Sequence, residues 1–230
     1  MNITYRTSTV HTTPLPEREI KFIVIHYTAG VTSRQGSALN TANYYPDSQN
    51  VSADYTVDDT TAVCYNGDIP NRYTWHCGGS KYATKGGSLY GKCTNANSIG
   101  VEVCSTNSTG KMQTANDRSY SFTEAAVNNA VELVKQLMKW YNIPPENVIR
   151  HYDVTGKPCP GIIGWNADSG SEAEWLKFKA RLTGGSVPDA PSKKTAKYYV
   201  QVGAFSDKAN AEKFLRSVQI HFPKAFIKEM

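Results

Sequence analysis

The sequence predicts an α/β fold built on a mixed central β-sheet flanked by helices. Three observations predict it. Phe22-Ile23-Val24-Ile25 is too apolar and β-branched for a surface strand, Ser98-Ile99-Gly100-Val101-Glu102-Val103-Cys104 reads as another strand, and Phe122–Tyr141 carries apolar residues at helical spacing. A small βαβ-like segment follows at the C-terminal end.

Residues 20–27 form a central strand with His26 at its C-terminal end, where ligands commonly project into a cleft. Mixed helical character runs from Ser33 to Tyr45. Val51–Val57 and Ala62–Tyr65 read as strands, and Asn66-Gly67-Asp68 as a turn. A loop-rich region extends through Trp75-His76-Cys77-Gly78-Gly79 to Lys92. The Phe122–Tyr141 helix is expected to open on a capping box of Ser121 and Glu124, with Val127, Ala130, Val134, Leu137 and Tyr141 facing the core. Pro144 and Pro145 stop it, and Asn147–His151 then forms a short strand ending in a second imidazole. A last helix starts at Ser171 with Glu174 as its box partner, turns Trp175, Phe178 and Leu182 inward, and ends at Gly184-Gly185.

Three regions result. Residues 1–183 make one domain, and 184–197, rich in Gly, Ser, Pro and Lys, make a flexible linker. Residues 198–230 make a segment with a strand at Tyr198–Val202, a helix at Asp207–Val218 and a second strand at Ala225–Ile227. That segment falls below the roughly 40 residues at which a domain holds together alone. It is therefore expected to pair with another copy of the chain or to dock on the first domain.

The formal net charge of +5 comes from scattered basic residues, which argues against a nucleic-acid partner. The first ten residues lack a basic start and an apolar stretch, and no run approaches the roughly 20 apolar residues needed to cross a bilayer. No export signal and no membrane partner are expected, and synthesis in the cytoplasm is. Of the five cysteines, Cys159 stands in a chemically distinctive stretch. The remaining Cys64, Cys77, Cys93 and Cys104 could pair in three ways, although cytosolic synthesis favours reduced, buried thiols.

His26, His151 and Cys159 together offer two imidazoles and a thiol, enough to hold Zn2+ with one coordination position left for water. That open position separates a hydrolytic zinc from a structural one. The Gly- and Pro-containing loop between His151 and Cys159 can curl both side chains onto one ion. Taken singly, each residue reads as a core histidine or an inert buried thiol.

The surrounding segments decide between these readings. Phe22–Gly30, Ser52-Ala53-Asp54-Tyr55, Thr74-Trp75-His76-Cys77-Gly78, Ser98–Glu102 and His151–Gly161 occur in an order that resembles zinc-dependent N-acetylmuramoyl-L-alanine amidases. The superfamily is that of phage lysozyme, AmpD and the peptidoglycan recognition proteins. The chain is most similar to endolysins of phages that infect Gram-positive bacteria, over roughly residues 18–182. The resemblance implies a zinc cleft with His26, His151 and Cys159 as ligands. It implies Tyr55 beside the reacting oxygen and Lys157 stabilising charge on the scissile carbonyl, both reasonable for a growing oxyanion. It also implies Glu102 as a proton acceptor or as an orienting group for a ligand, and Trp75 with His76 lining the substrate groove. His11 and His221 have no such context and read as surface residues.

The implied substrate is the amide between N-acetylmuramic acid and L-alanine in peptidoglycan, reached after release from the cytoplasm. Two other classes compete. A non-catalytic recognition module would typically lose the cysteine, which this chain keeps. A cytosolic muropeptide-recycling amidase would need no wall anchor, whereas Tyr198–Ser206 followed by Ala209-Asn210-Ala211-Glu212 resembles the opening half of a SPOR-type peptidoglycan-binding repeat.

Overall fold

In the computed structural model, residues 3–115, 117–184, 205–219 and 227 are described. They fall in two compact units, Met1–Ala190 and Pro191–Met230. In chain order the first unit contains β1 (Ile3–Tyr5), β2 (Thr12–Pro14), β3 (Phe22–Tyr27), α1 (Ser37–Tyr44), β4 (Tyr55–Val57), β5 (Ala62–Cys64) and β6 (Arg72–Thr74). It continues with β7 (Ser98–Val103), β8 (Thr106–Asn107), β9 (Tyr120–Ser121), α2 (Glu124–Tyr141), β10 (Val148–Arg150), α3 (His151–Thr155) and α4 (Ala173–Leu182). Among the described residues no helix is long and apolar enough to cross a membrane.

The central sheet is six-stranded and mixed, in the order β1-β5-β4-β7-β3-β10. The β4/β5 pair is antiparallel and every other pair in it is parallel. β3 and β7 lie between paired neighbours, which explains their nearly continuous apolar composition. Alternation along these strands gives the sheet two different faces. Ile23, Ile25, Tyr55, Val57, Ile99 and Val101 pack against Ala130, Leu133, Val134 and Leu137 of α2 and Trp175 and Phe178 of α4. The other face carries α1, whose Ala38 and Ala42 meet Val63, Tyr65 and Cys104. A second cluster on it joins Val24 and Ile149 to Cys77, Cys93 and Val154.

Several boundaries differ from the sequence expectation, each for a local reason. The N-cap of α2 is Thr123, whose hydroxyl accepts from Ala126 N at 3.1 Å, because Ser121 is taken up by β9 pairing with Thr106. α2 stops as predicted: Asn142 adopts φ +51° and its N–H returns to Met138 O. α4 begins at Ala173 with no side-chain cap, Ser171 Oγ accepting instead from Ala173 N at 3.1 Å while its backbone bridges to Asn166. The strand expected over Val51–Val57 is confined to Tyr55–Val57. His151 opens a short helix instead of ending a strand.

The second unit contains α5 (Lys208–Gln219), matching the expected helix, with Asp207 Oδ1 accepting from Asn210 N at 2.9 Å. Phe205 and Phe214 lie 5.3 Å apart between ring centroids. The strand expected at Tyr198–Val202 and all but the last residue of the one at Ala225–Ile227 lie outside the described residues, as does His221.

Candidate metal centre

Sheet register brings the candidate residues together. Thr56 pairs with Glu102 and Glu102 with His26, while Arg150 pairs with Ile25, so His151 follows directly beside His26. Thr56, Glu102 and His26 lie on the face opposite α2, since alternate residues of one strand point to opposite sides, and His151 opens α3 beside them. The His26 and His151 ring centroids are 4.8 Å apart.

Cys159 returns to this row through a tight loop. Gly156 ends α3 at φ +82°, with its N–H on Tyr152 O, and Tyr152 N donates to Cys159 O at 3.0 Å. A side chain at Gly156 would be strained by that φ and would run into Thr84 Oγ1. The sulfur of Cys159 then lies 3.6 Å from His26 Nδ1, and the ligand atoms of His26, His151 and Cys159 all fall within 4.8 Å of one another.

The donor set fits a cation. His151 Nε2 is buried without a hydrogen-bond partner, an arrangement that burial ordinarily penalises. Burial and the neighbouring His151 hold His26 well below the usual imidazole range. His151 is pulled down to about 3 by burial and Lys157, so both rings are neutral donors. Burial and the nearby Glu102 push Cys159 up to about 12, a shift that a bound cation reverses by favouring thiolate. Among the described residues this is the one His, Cys and carboxylate group with such geometry.

A hydrogen-bond chain orients His26. Ser98 Oγ donates to Thr94 O at 2.5 Å and so accepts from His76 Nε2 at 3.2 Å. His76 Nδ1 is then the acceptor for His26 Nε2–H at 3.1 Å, which leaves the Nδ1 lone pair of His26 facing the cysteine. Gly100 makes room for this relay, since a Cβ there would lie 2.6 Å from His76 Cγ. Sequence reading set His76 on a groove wall, whereas the structure places it behind the ligand histidine. Trp75 parts from it: the indole donates to Thr13 Oγ1 at 2.9 Å and lies tilted against the His11 ring, with centroids 5.3 Å apart. His11 is not a free surface residue, because its Nδ1 is 2.8 Å from Tyr45 O.

Glu102 stands next to His26 across the sheet, with Oε2 buried and unpartnered. Burial raises its carboxyl to about 8, partly offset by Lys157. The Lys157 ammonium is close enough to act on His26, His151, Glu102 and Cys159 alike.

Tyr55 is a correction. It is in register with Val101 and Ile25 and therefore faces α2, where burial and its contact with Cys64 push its hydroxyl far above the usual phenol range. The residue in the metal row is Thr56, and its hydroxyl is committed to Ala38 O of α1 at 2.8 Å. The working side chain of the Ser52–Tyr55 segment is Asp54. Its carboxylate accepts from Asn66 Nδ2, Thr74 Oγ1 and Gly100 N, with Arg18 3.9 Å away, and so ties the strands under the site. A buried Asp among loop signals could have been suspected. Its partners, spread from Arg18 to Gly100, could not.

The N-acetylmuramoyl-L-alanine amidase family matches residues 16–162, and the SPOR domain family matches residues 194–229. A probable N-acetylmuramoyl-L-alanine amidase of Bacillus licheniformis is 28% identical over 87% of this chain and 52% of its own length. The amidase BlyA of Bacillus subtilis (strain 168) is 29% identical over 81% and 49%. The chain thus spans about half the length of the curated relatives it matches. Among solved structures, the catalytic domain of XlyA is 26% identical with a TM-score of 0.56, covering 79% of this chain and 99% of that one. PlyL is 29% identical with a TM-score of 0.55, covering 81% and 98%. With the family pattern running through five of the six sheet strands, the relay and all three candidate ligands, this chain belongs to the N-acetylmuramoyl-L-alanine amidase family.

Proposed function

We propose that the chain hydrolyses the amide joining the lactyl group of N-acetylmuramic acid to L-alanine in peptidoglycan, with zinc held by His26, His151 and Cys159. The observation that carries this reading is the convergence of one donor atom each from His26, His151 and Cys159 within 4.8 Å of one another. Zinc at these ligands supplies a Lewis acid that polarises the carbonyl and makes water more acidic. Two neutral imidazoles and a thiolate leave the site a net positive charge for that task.

The chain's own residues supply the rest. Glu102, next to His26 across the sheet with its Oε2 buried and unpartnered, is placed to take a proton from the attacking water and pass it to the leaving amine. Lys157 presents positive charge to the developing oxyanion, favouring the transition state over the ground state. His76 and Ser98 hold His26 in the tautomer that keeps Nδ1 available. The products are glycan strand and free stem peptide. The SPOR match over residues 194–229 supports anchoring to the wall, so we place the site of action there, after release from the cytoplasm.

Mass analysis of fragments from defined peptidoglycans, with and without a chelator, tests the reading. Stem peptides with a free L-alanine amine, lost on chelation, are expected; new reducing sugar ends or chelator-insensitive release would overturn it.

A further inference from the structure

Residues 77–93 form a strap over α3, the helix that opens on His151. A helix leaves its last carbonyls without partners of its own, and in one of five residues that is nearly all of them. The strap supplies donors. Tyr82 N bonds Thr155 O at 2.7 Å, Gly87 N bonds Tyr152 O at 2.9 Å, Leu89 N bonds Asp153 O at 2.9 Å, and Thr84 Oγ1 bonds Gly156 O at 2.8 Å. The position of His151 therefore depends on the strap staying in place.

The neck of the strap is built from two thiols. Cys77 and Cys93 are each 2% exposed and share one apolar cluster with Val24 and Val154, close enough for each thiol to bear on the other, while the Cys77 sulfur also lies 3.7 Å from Ser98 Oγ. Asn95 locks the same place, its Oδ1 accepting from His76 N at 3.1 Å and Cys77 N at 2.7 Å. Beyond the neck, His76 reaches His26. The other cysteines are engaged elsewhere: Cys64 bonds Asn66 O, Cys104 lies against Thr41, and Cys159 belongs to the metal row. Neither sequence spacing nor count singles out this pair among the possible connectivities, and only the fold brings it together.

We propose that Cys77 and Cys93 are a modification site: exposed to a low-molecular-weight disulfide, they form a disulfide that closes the neck of the strap and holds α3 and His76 in place. In the exchange one cysteine sulfur attacks the small disulfide and releases one small thiol. The second cysteine sulfur then displaces the other. Two S–H bonds and one small-molecule S–S bond are broken, one protein S–S bond is formed, and both protons leave on the two small thiols. Because both sulfurs are buried, exchange proceeds from an opened strap and is slow in the native protein. Closing a loop of this length constrains the unfolded chain most, so the oxidised protein is the more heat-resistant form.

The test uses the full zinc-loaded chain and oxidised glutathione as the probe, followed by alkylation, digestion and non-reducing mass analysis. A peptide pair linked through Cys77 and Cys93 is expected, with a thermal midpoint raised by about 6–12 °C and restored by reductant. The variant C77S/C93S should lose the reductant-sensitive shift, and the comparison of oxidised with reduced wild type stands even if that variant folds poorly. Glutathione left as a mixed adduct, a link through Cys64 or Cys104, or a midpoint indifferent to reductant would each overturn the proposal.

Discussion

Residue chemistry decides what the site can bind. The convergence of His26, His151 and Cys159 was legible only through the family resemblance of the segments that carry them, since each residue taken singly reads as a core histidine or a buried thiol. Cys159→Ser is expected to reduce bound zinc and abolish wall hydrolysis together; a variant that keeps full activity contradicts the ligand assignment. The orienting role of His76 was not legible, since it depends on the Ser98 hydroxyl and the space left by Gly100. His76→Ala should weaken zinc binding by about 10- to 100-fold, measured by competition with a chelating dye, without removing any ligand. Tyr55→Phe should leave kcat within about twofold, because the hydroxyl faces α2; a loss of 100-fold would restore Tyr55 to the site. Acid stability carries a definite sign. His26 and His151 are depressed in the folded chain, so the unfolded chain binds more protons below pH 6.5 and stability falls as pH drops toward 3. Glu102 acts oppositely between 4.5 and about 8, stability falling there as pH rises. Melting the metal-free protein between pH 4.5 and 3 samples the imidazoles together with carboxyls such as Asp117, and the difference made by His151→Asn, which should flatten the slope, isolates the imidazole share.

At the scale of elements, long periodic segments were readable and short ones were not. α2 shows its stripe over 18 residues, enough to identify the helix and Ala130, Val134 and Leu137 of its core face, whereas Val127 and Tyr141 are only half-buried and the buried Ala126, Val131 and Leu133 were missed. β1, β2 and β6 have three residues each and depend on distant partners, so no local period marks them. The placing of Tyr55 beside the reacting oxygen came from the resemblance alone, and the pairing of β4 with β7, which sets Tyr55 beside Val101 and Thr56 beside Glu102, turns its side chain to the other face. Leu137, fully buried in the C-terminal half of α2, should lower stability by about 2–5 kcal/mol when changed to Ala, read from denaturant midpoints. Gly100→Ala belongs here too, since its Cβ would displace His76 while β7 stays paired. A normal far-ultraviolet spectrum with weakened zinc binding is the expected outcome.

For the molecule as a whole, the α/β class and mixed sheet followed from the alternation of apolar strands with an amphipathic helix, whereas the strand order β1-β5-β4-β7-β3-β10 did not. That order matters because it sets β3 between β7 and β10, so that Glu102, His26 and His151 fall in one row at neighbouring strand ends. The second unit, with its SPOR match, is expected to add wall affinity and no chemistry. Sedimentation with insoluble walls should drop when the chain is ended at residue 190, while hydrolysis of soluble muropeptides continues; unchanged sedimentation would remove the targeting role. X-ray absorption at the zinc edge of the loaded protein tests the shared centre most directly. One sulfur at about 2.3 Å and two imidazole nitrogens at about 2.0–2.1 Å, with a remaining light scatterer, are predicted; a spectrum lacking the sulfur shell, or showing four protein donors, would contradict it.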